Sequence, residues 1–179
     1  PRRNVVLGTW LGYAIARVLY VVAMAVGLLA ISYFVAGFVA PAPLATIGLL
    51  VLMTLLLLSL SILGGTFLPT LANGIGLFVL YGLAWLGGVI EALGTAFRSE
   101  TLVHLGIVVS LIIPSDALWR AASYYLQPPT FLLLQGAAPG PVLPFAAAVP
   151  PAPAMLVYAG LYTLVALALA VVIMERRDL

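Results

Sequence analysis

Four stretches of this chain, residues 11–40, 44–63, 71–93 and 154–174, are each at least twenty residues long and almost free of charge. A helix rises about 1.5 Å per residue, so roughly twenty residues cross the ~30 Å hydrocarbon core of a bilayer. Composition agrees: charged residues make up 7% of the chain, against about 25% in soluble domains. Hydrophobic residues make up 65%, and the mean hydropathy is +1.27. The expected fold is an all-α integral membrane protein. Residues 1–179 form a single transmembrane domain with four spans and the lipid bilayer as its solvent.

A fifth apolar stretch starts like a span and then stops. Leu102 to Ile113 carries only His104 and Ser110 as polar side chains, and as a helix it would reach about 18 Å, too short to cross. Pro114 ends it, because proline lacks an N–H and biases Ile113 away from helix. Beyond it, Ser115 or Asp116 can cap a second helix. Asp116, Arg120, Ser123 and Gln127 share one face of that helix, while Leu118, Ala121, Ala122 and Tyr125 share another, with Trp119 beside them. The pattern predicts an outer re-entrant half-span followed by an interfacial amphipathic helix over 102–126. Asp116 and Arg120 are expected to form a surface ion pair worth a few tenths of a kcal/mol, roughly.

The connections are short or proline-rich. Pro41 to Pro43 joins the first two spans, Gly64 to Thr70 the next two, and 94–101 is a polar joint with Arg98 and Glu100. Residues 127–153 hold eight prolines and no charge, yet keep Phe131 to Leu134 and Phe145. They are expected to lie on the outer membrane surface. In the third span Ala84, Gly88 and Ala92 recur every four residues, which lets another helix approach closely. Trp10, Tyr33, Trp119, Tyr124, Tyr125 and Tyr158 are expected as interface anchors.

Orientation follows from charge and parity. Four spans put both ends on one side, and both ends carry arginine pairs, Arg2–Arg3 and Arg176–Arg177. Positive flanks prefer the cytoplasm. Carrying the half-span across through Leu126 would bury Asp116 and Arg120, at about 2.5–3.5 kcal/mol each near the bilayer centre. Both termini are therefore expected in the cytoplasm.

Little in the chain suggests catalysis. There are no cysteines, which excludes disulfides and thiolate chemistry, and a net charge of +2 does not suggest nucleic acid as a partner. His104 has only Glu100 nearby as a co-ligand, so no metal site is expected, and no phosphate-binding GxxxxGK[ST] loop occurs. Neither catalytic nor cofactor-binding residues stand out. Arg17, in the first turns of its span, is expected to snorkel to the near interface, and Glu91 to sit one turn from the outer end of its own.

Taken in order, these features resemble the permease subunits of type-2 ABC transporters, in particular the multi-copper-enzyme maturation permeases. PRRNVVLGTWLGY resembles the cytoplasmic element that leads into their middle spans, with Thr9 where that family often has lysine. LPTLANGIGLFVLYGLAWLGGVIEALG resembles their later glycine-rich span, SLIIPSDALWRAASYYLQPP their extracellular re-entrant element, and MERRDL their C-terminal end. The resemblance implies an exporter subunit in a bacterial plasma (inner) membrane. It would pair with a second permease copy and be driven by a separate cytoplasmic ABC ATPase subunit. Arg2, Arg3, Asn4 and Val5 would lie at the coupling contact, and Pro114, Asp116, Trp119 and Arg120 in an outer gating element. Because that family has six spans, either two further spans are expected before Pro1 or a four-span remnant is expected to function with a partner. Two other possibilities remain open from the residues alone. One is an accessory subunit of a large membrane complex with no transport role of its own; the other is a proton- or ion-coupled carrier built on Arg17 and Glu91.

Overall fold

In the computed structural model, residues 2–131 and 150–176 are described. Long helices follow from the runs, as expected: α1 is Arg2–Ala36, α2 Pro43–Gly65, α3 Thr70–Ala96 and α6 Pro153–Arg176. All four are long and apolar enough to cross a membrane. Two shorter helices, α4 Glu100–Ile112 and α5 Ser115–Leu126, lie between α3 and α6 and are bent by 103° at their junction. Pro43 opens α2 in its first turn, where a missing N–H costs nothing. Gly37, at φ 63°, follows the end of α1 in the left-handed conformation that glycine adopts freely.

The first helix starts earlier than the apolar run suggests. No proline interrupts residues 2–10, so the helix extends through Trp10 and totals 35 residues, about 52 Å and longer than a bilayer core. Arg17 therefore sits near the middle of α1 rather than in its first turns. It is exposed and forms no ion pair among the described residues.

The centre of the bundle is α2, which contacts α1, α3, α5 and α6. Leu49 and Leu56 of α2 meet Ala84 of α3, Ile113, then Leu118, Ala121 and Ala122 of α5 and Ala159 of α6 in one buried cluster. Small residues recur in it because, without water to exclude, helices gain by close backbone approach. α1 is the exception. Its most apolar 18-residue stretch has no buried residue, against 22% in the other three long helices.

α3 and α4 form a tight antiparallel hairpin. Arg98 (φ 54°) makes the turn, and the Ser99 N–H donates to the Gly94 carbonyl. Glycine is required along the seam. A methyl at Gly94 would press on the backbone of Leu102 and Val103, one at Gly87 on Val109, and one at Gly106 on the backbone of Glu91 and Gly87. The chain then turns at fully buried Pro114, and α5 ends beside the start of α2. There the Ala42 N–H donates to the Tyr125 carbonyl, and the Thr46 hydroxyl to that of Ala122. The apolar face of α5 is thus covered by α2. Pro114 itself occupies the cap position, and Ser115 is the first helical residue with no capping bond. That corrects the expected Ser115 or Asp116 cap: the buried proline lets the helix begin at once.

Candidate functional site

Three charges meet where α5 crosses α3. Arg120 Nη2 lies 2.6 Å from Glu91 Oε2, and Arg120 Nε lies 2.7 Å from Asp116 Oδ2. The i,i+4 spacing within α5 aligns Asp116 with Arg120, while α3 supplies Glu91 from 29 residues away in sequence. Only 3% of the Asp116 side chain is exposed, with 20% of Arg120 and 30% of Glu91. The expected surface pair is therefore corrected to a partly buried triad around a buried Asp116, in which one guanidinium bridges two carboxylates. Gly88 makes room for it, since a methyl there would collide with the Asp116 carboxylate and approach Arg120. Sequence spacing revealed that α3 had a flat small-residue face but gave no sign that it would receive a carboxylate.

Asp116 Oδ2 is close enough to Arg120 for ion pairing, but it receives no aligned hydrogen bond. The hydroxyl of Ser115, on the same turn and fully buried, also lacks a partner. Both residues line a cleft of about 310 Å³ whose remaining walls are Tyr81, Trp85 and Trp119. The cleft thus joins three aromatic rings to unspent hydrogen-bonding capacity at the start of α5.

The broken end of α4 is held from another helix. The last carbonyls of any helix lack intrahelical partners. Here the Tyr158 hydroxyl donates to the Leu111 carbonyl at 2.6 Å, and the Tyr162 hydroxyl to that of Ile112 at 2.9 Å. Tyr158 and Tyr162 are one turn apart on α6, so a single helix face caps the break. Tyr158 therefore makes a specific contact within the chain in addition to any anchoring at the interface. Trp10 does likewise, its indole N–H donating to Ser59 Oγ of α2 at 3.0 Å.

The remaining candidates stand apart from this centre. Arg3, Asn4 and Val5 are exposed in the first turn of α1, which Arg2 opens, and Trp119 is exposed beside the triad. Arg17 and Glu91 do not meet: Arg17 is on the outside of α1, whereas Glu91 belongs to the triad. His104 and Glu100 are both exposed on α4, and no cluster of metal-ligating side chains occurs among the described residues. Most of the proline-rich loop (132–149) and the last three residues, Arg177 among them, lie outside the described residues.

Fold and site define the class: an all-helical protein whose four long helices can cross a membrane, with a bent helix pair between the third and the fourth. Comparison with protein-family models, curated proteins and solved structures finds no match to this chain.

Proposed function

We propose that this chain is the transmembrane permease subunit of an ABC exporter, driven by a separate cytoplasmic ATPase subunit. It would lie in a bacterial plasma membrane with both termini in the cytoplasm. The observation that carries this is the path of α4 and α5. α4 begins beside the C-terminal end of α3, and α5 finishes beside the N-terminal end of α2. Those two ends face the same side when α2 and α3 cross in succession, so the bent pair dips in and returns. A re-entrant element at that point suits an outer gate, and the triad would latch it to α3. The order of motifs along the chain supports the same assignment, with Arg2 to Val5 at the cytoplasmic coupling end. The bundle offers no nucleotide loop, which fits an energy source on another subunit.

The thinly packed α1 favours a second possibility, an accessory subunit of a large membrane complex. An apolar helix that buries so little within its own chain, with an arginine exposed near its middle, suits burial against other subunits. Affinity purification in mild detergent separates the two. A copurifying ATPase with a P-loop supports the permease, and a many-subunit complex without one supports the accessory role. Within the first outcome, Arg3→Glu should leave basal ATPase activity in place and abolish its coupling to transport. Full coupling in that variant would count against a contact at the start of α1.

A further inference from the structure

The cleft beside the triad has a chemistry that neither proposed role accounts for. We infer that it binds a small organic ammonium ion, a protonated amine carrying apolar substituents. The inference stands whether or not the chain transports anything.

Charge gives the sign of the ligand. Glu91 and Asp116 bring two negative charges and Arg120 one positive, so the cluster carries one excess negative charge. Helix dipoles do not reverse this. The negative end of α4 and the positive end of α5 meet at Pro114 and offset each other. The walls give the class. Tyr81, Trp85 and Trp119 offer electron-rich faces, and cations are attracted most strongly to tryptophan. A bare metal ion needs several oxygen ligands, and this cleft offers one carboxylate and one hydroxyl. An ammonium N–H, in contrast, can donate to Ser115 Oγ, a buried oxygen that lacks a hydrogen-bond partner, and to the Asp116 carboxylate, which shares its charge with Arg120 Nε at 2.7 Å. Apolar substituents would then lie on the rings. The volume, about 310 Å³, falls at the small end of ligand sites, which run from about 300 to 1,000 Å³.

Two sources present this chemistry, a free amine and the ethanolamine headgroup of a phospholipid. The test uses the full chain in nanodiscs of phosphatidylglycerol, titrated with N,N-dimethylbenzylammonium. Intrinsic fluorescence is a suitable signal, because two of the three tryptophans line the cleft. Saturable quenching is expected, weakened about tenfold by Asp116→Asn and by Trp119→Leu and unchanged by Glu100→Gln. Trp119 is exposed, so its replacement tests the cleft even if the Asp116 variant folds poorly. The neutral analogue benzyl methyl ether should not saturate the signal. In phosphatidylethanolamine nanodiscs, loss of probe binding identifies the lipid headgroup as occupant, and unchanged binding identifies a free amine. Absence of saturable binding in phosphatidylglycerol, equal binding of the ether, or an unaffected Trp119→Leu variant would each overturn the assignment.

Discussion

Removing Arg120 tests whether the triad holds the bent pair to α3. In Arg120→Met the side chain keeps an unbranched apolar stem and loses the guanidinium and its charge. Asp116, with 3% of its side chain exposed, cannot turn to water. It must remain as an uncompensated buried charge or take up a proton. Each ion pair is worth about 4 kcal/mol gross, for charge centres roughly 4 Å apart at an effective dielectric near 20. Desolvation offsets much of that, and breaking a buried pair by removing one partner typically costs about 3–5 kcal/mol. Proton uptake sets a ceiling. At pH 7 an ordinary aspartic acid of pKa about 3.9 takes a proton for about 4 kcal/mol. Glu91 is 30% exposed and adds little once freed. The expected loss at pH 7 is therefore about 3 kcal/mol. At pH 5 the ceiling drops to about 1.5 kcal/mol. The sign follows from linkage: the folded variant binds a proton that its unfolded state lacks at neutral pH, so its stability falls as pH rises and recovers as pH falls. Adding Asp116→Asn removes the stranded charge, and the double variant should be more stable than Arg120→Met alone. Reversible unfolding in mixed detergent–SDS micelles, run at pH 7 and pH 5, measures all three quantities. An Arg120→Met variant within about 0.5 kcal/mol of the parent at pH 7, the usual scatter of surface changes, would refute the buried latch. So would a double variant whose losses simply add.

Three further outcomes follow from the geometry. Gly88→Ala should cost about 1–3 kcal/mol by pushing Asp116 out of register; Gly82→Ala, with open space around its Cα, should be neutral or stabilise by up to about 1 kcal/mol. The same unfolding assay compares them, and equal effects would count against the cradle. Tyr158→Phe and Tyr162→Phe should each lose about 1 kcal/mol, with faster amide exchange around 113–116 as the α4 end loosens; unchanged exchange would mean the carbonyls are served otherwise. Gly106→Ala should weaken the α3–α4 hairpin more than Gly88→Ala does, because its new methyl meets backbone rather than a side chain.

Much of the fold was legible because the governing signals are local. Apolar length predicted α2, α3 and α6 to within about three residues at each end. Pro114 predicted the break, since proline acts on its own turn and on the residue before it. The start of α1 was misjudged because the arginines and Asn4 look like a flank, although nothing in residues 2–10 opposes helix. The candidate site was legible only in part. Asp116 and Arg120 are neighbours by helix period, and Ala84, Gly88 and Ala92 marked the face of α3 that became buried. The partner Glu91, the aromatic cleft and the tyrosine caps depend on other helices.

Sequence alone therefore determined the apolar character and number of the long helices, the extent of all but the first, and the position of the break. Tertiary structure decided which faces meet: Glu91 with Arg120, the apolar side of α5 with α2, and the tyrosines of α6 with the end of α4. The reason is that these helices are apolar nearly all round, so hydrophobic periodicity fixes their extent and leaves their rotation open. Rotation is settled by close contact of small residues and by the few polar groups that must find partners away from water. In this chain the charged groups that pair between helices, Glu91, Asp116 and Arg120, lie close to the α4–α5 bend.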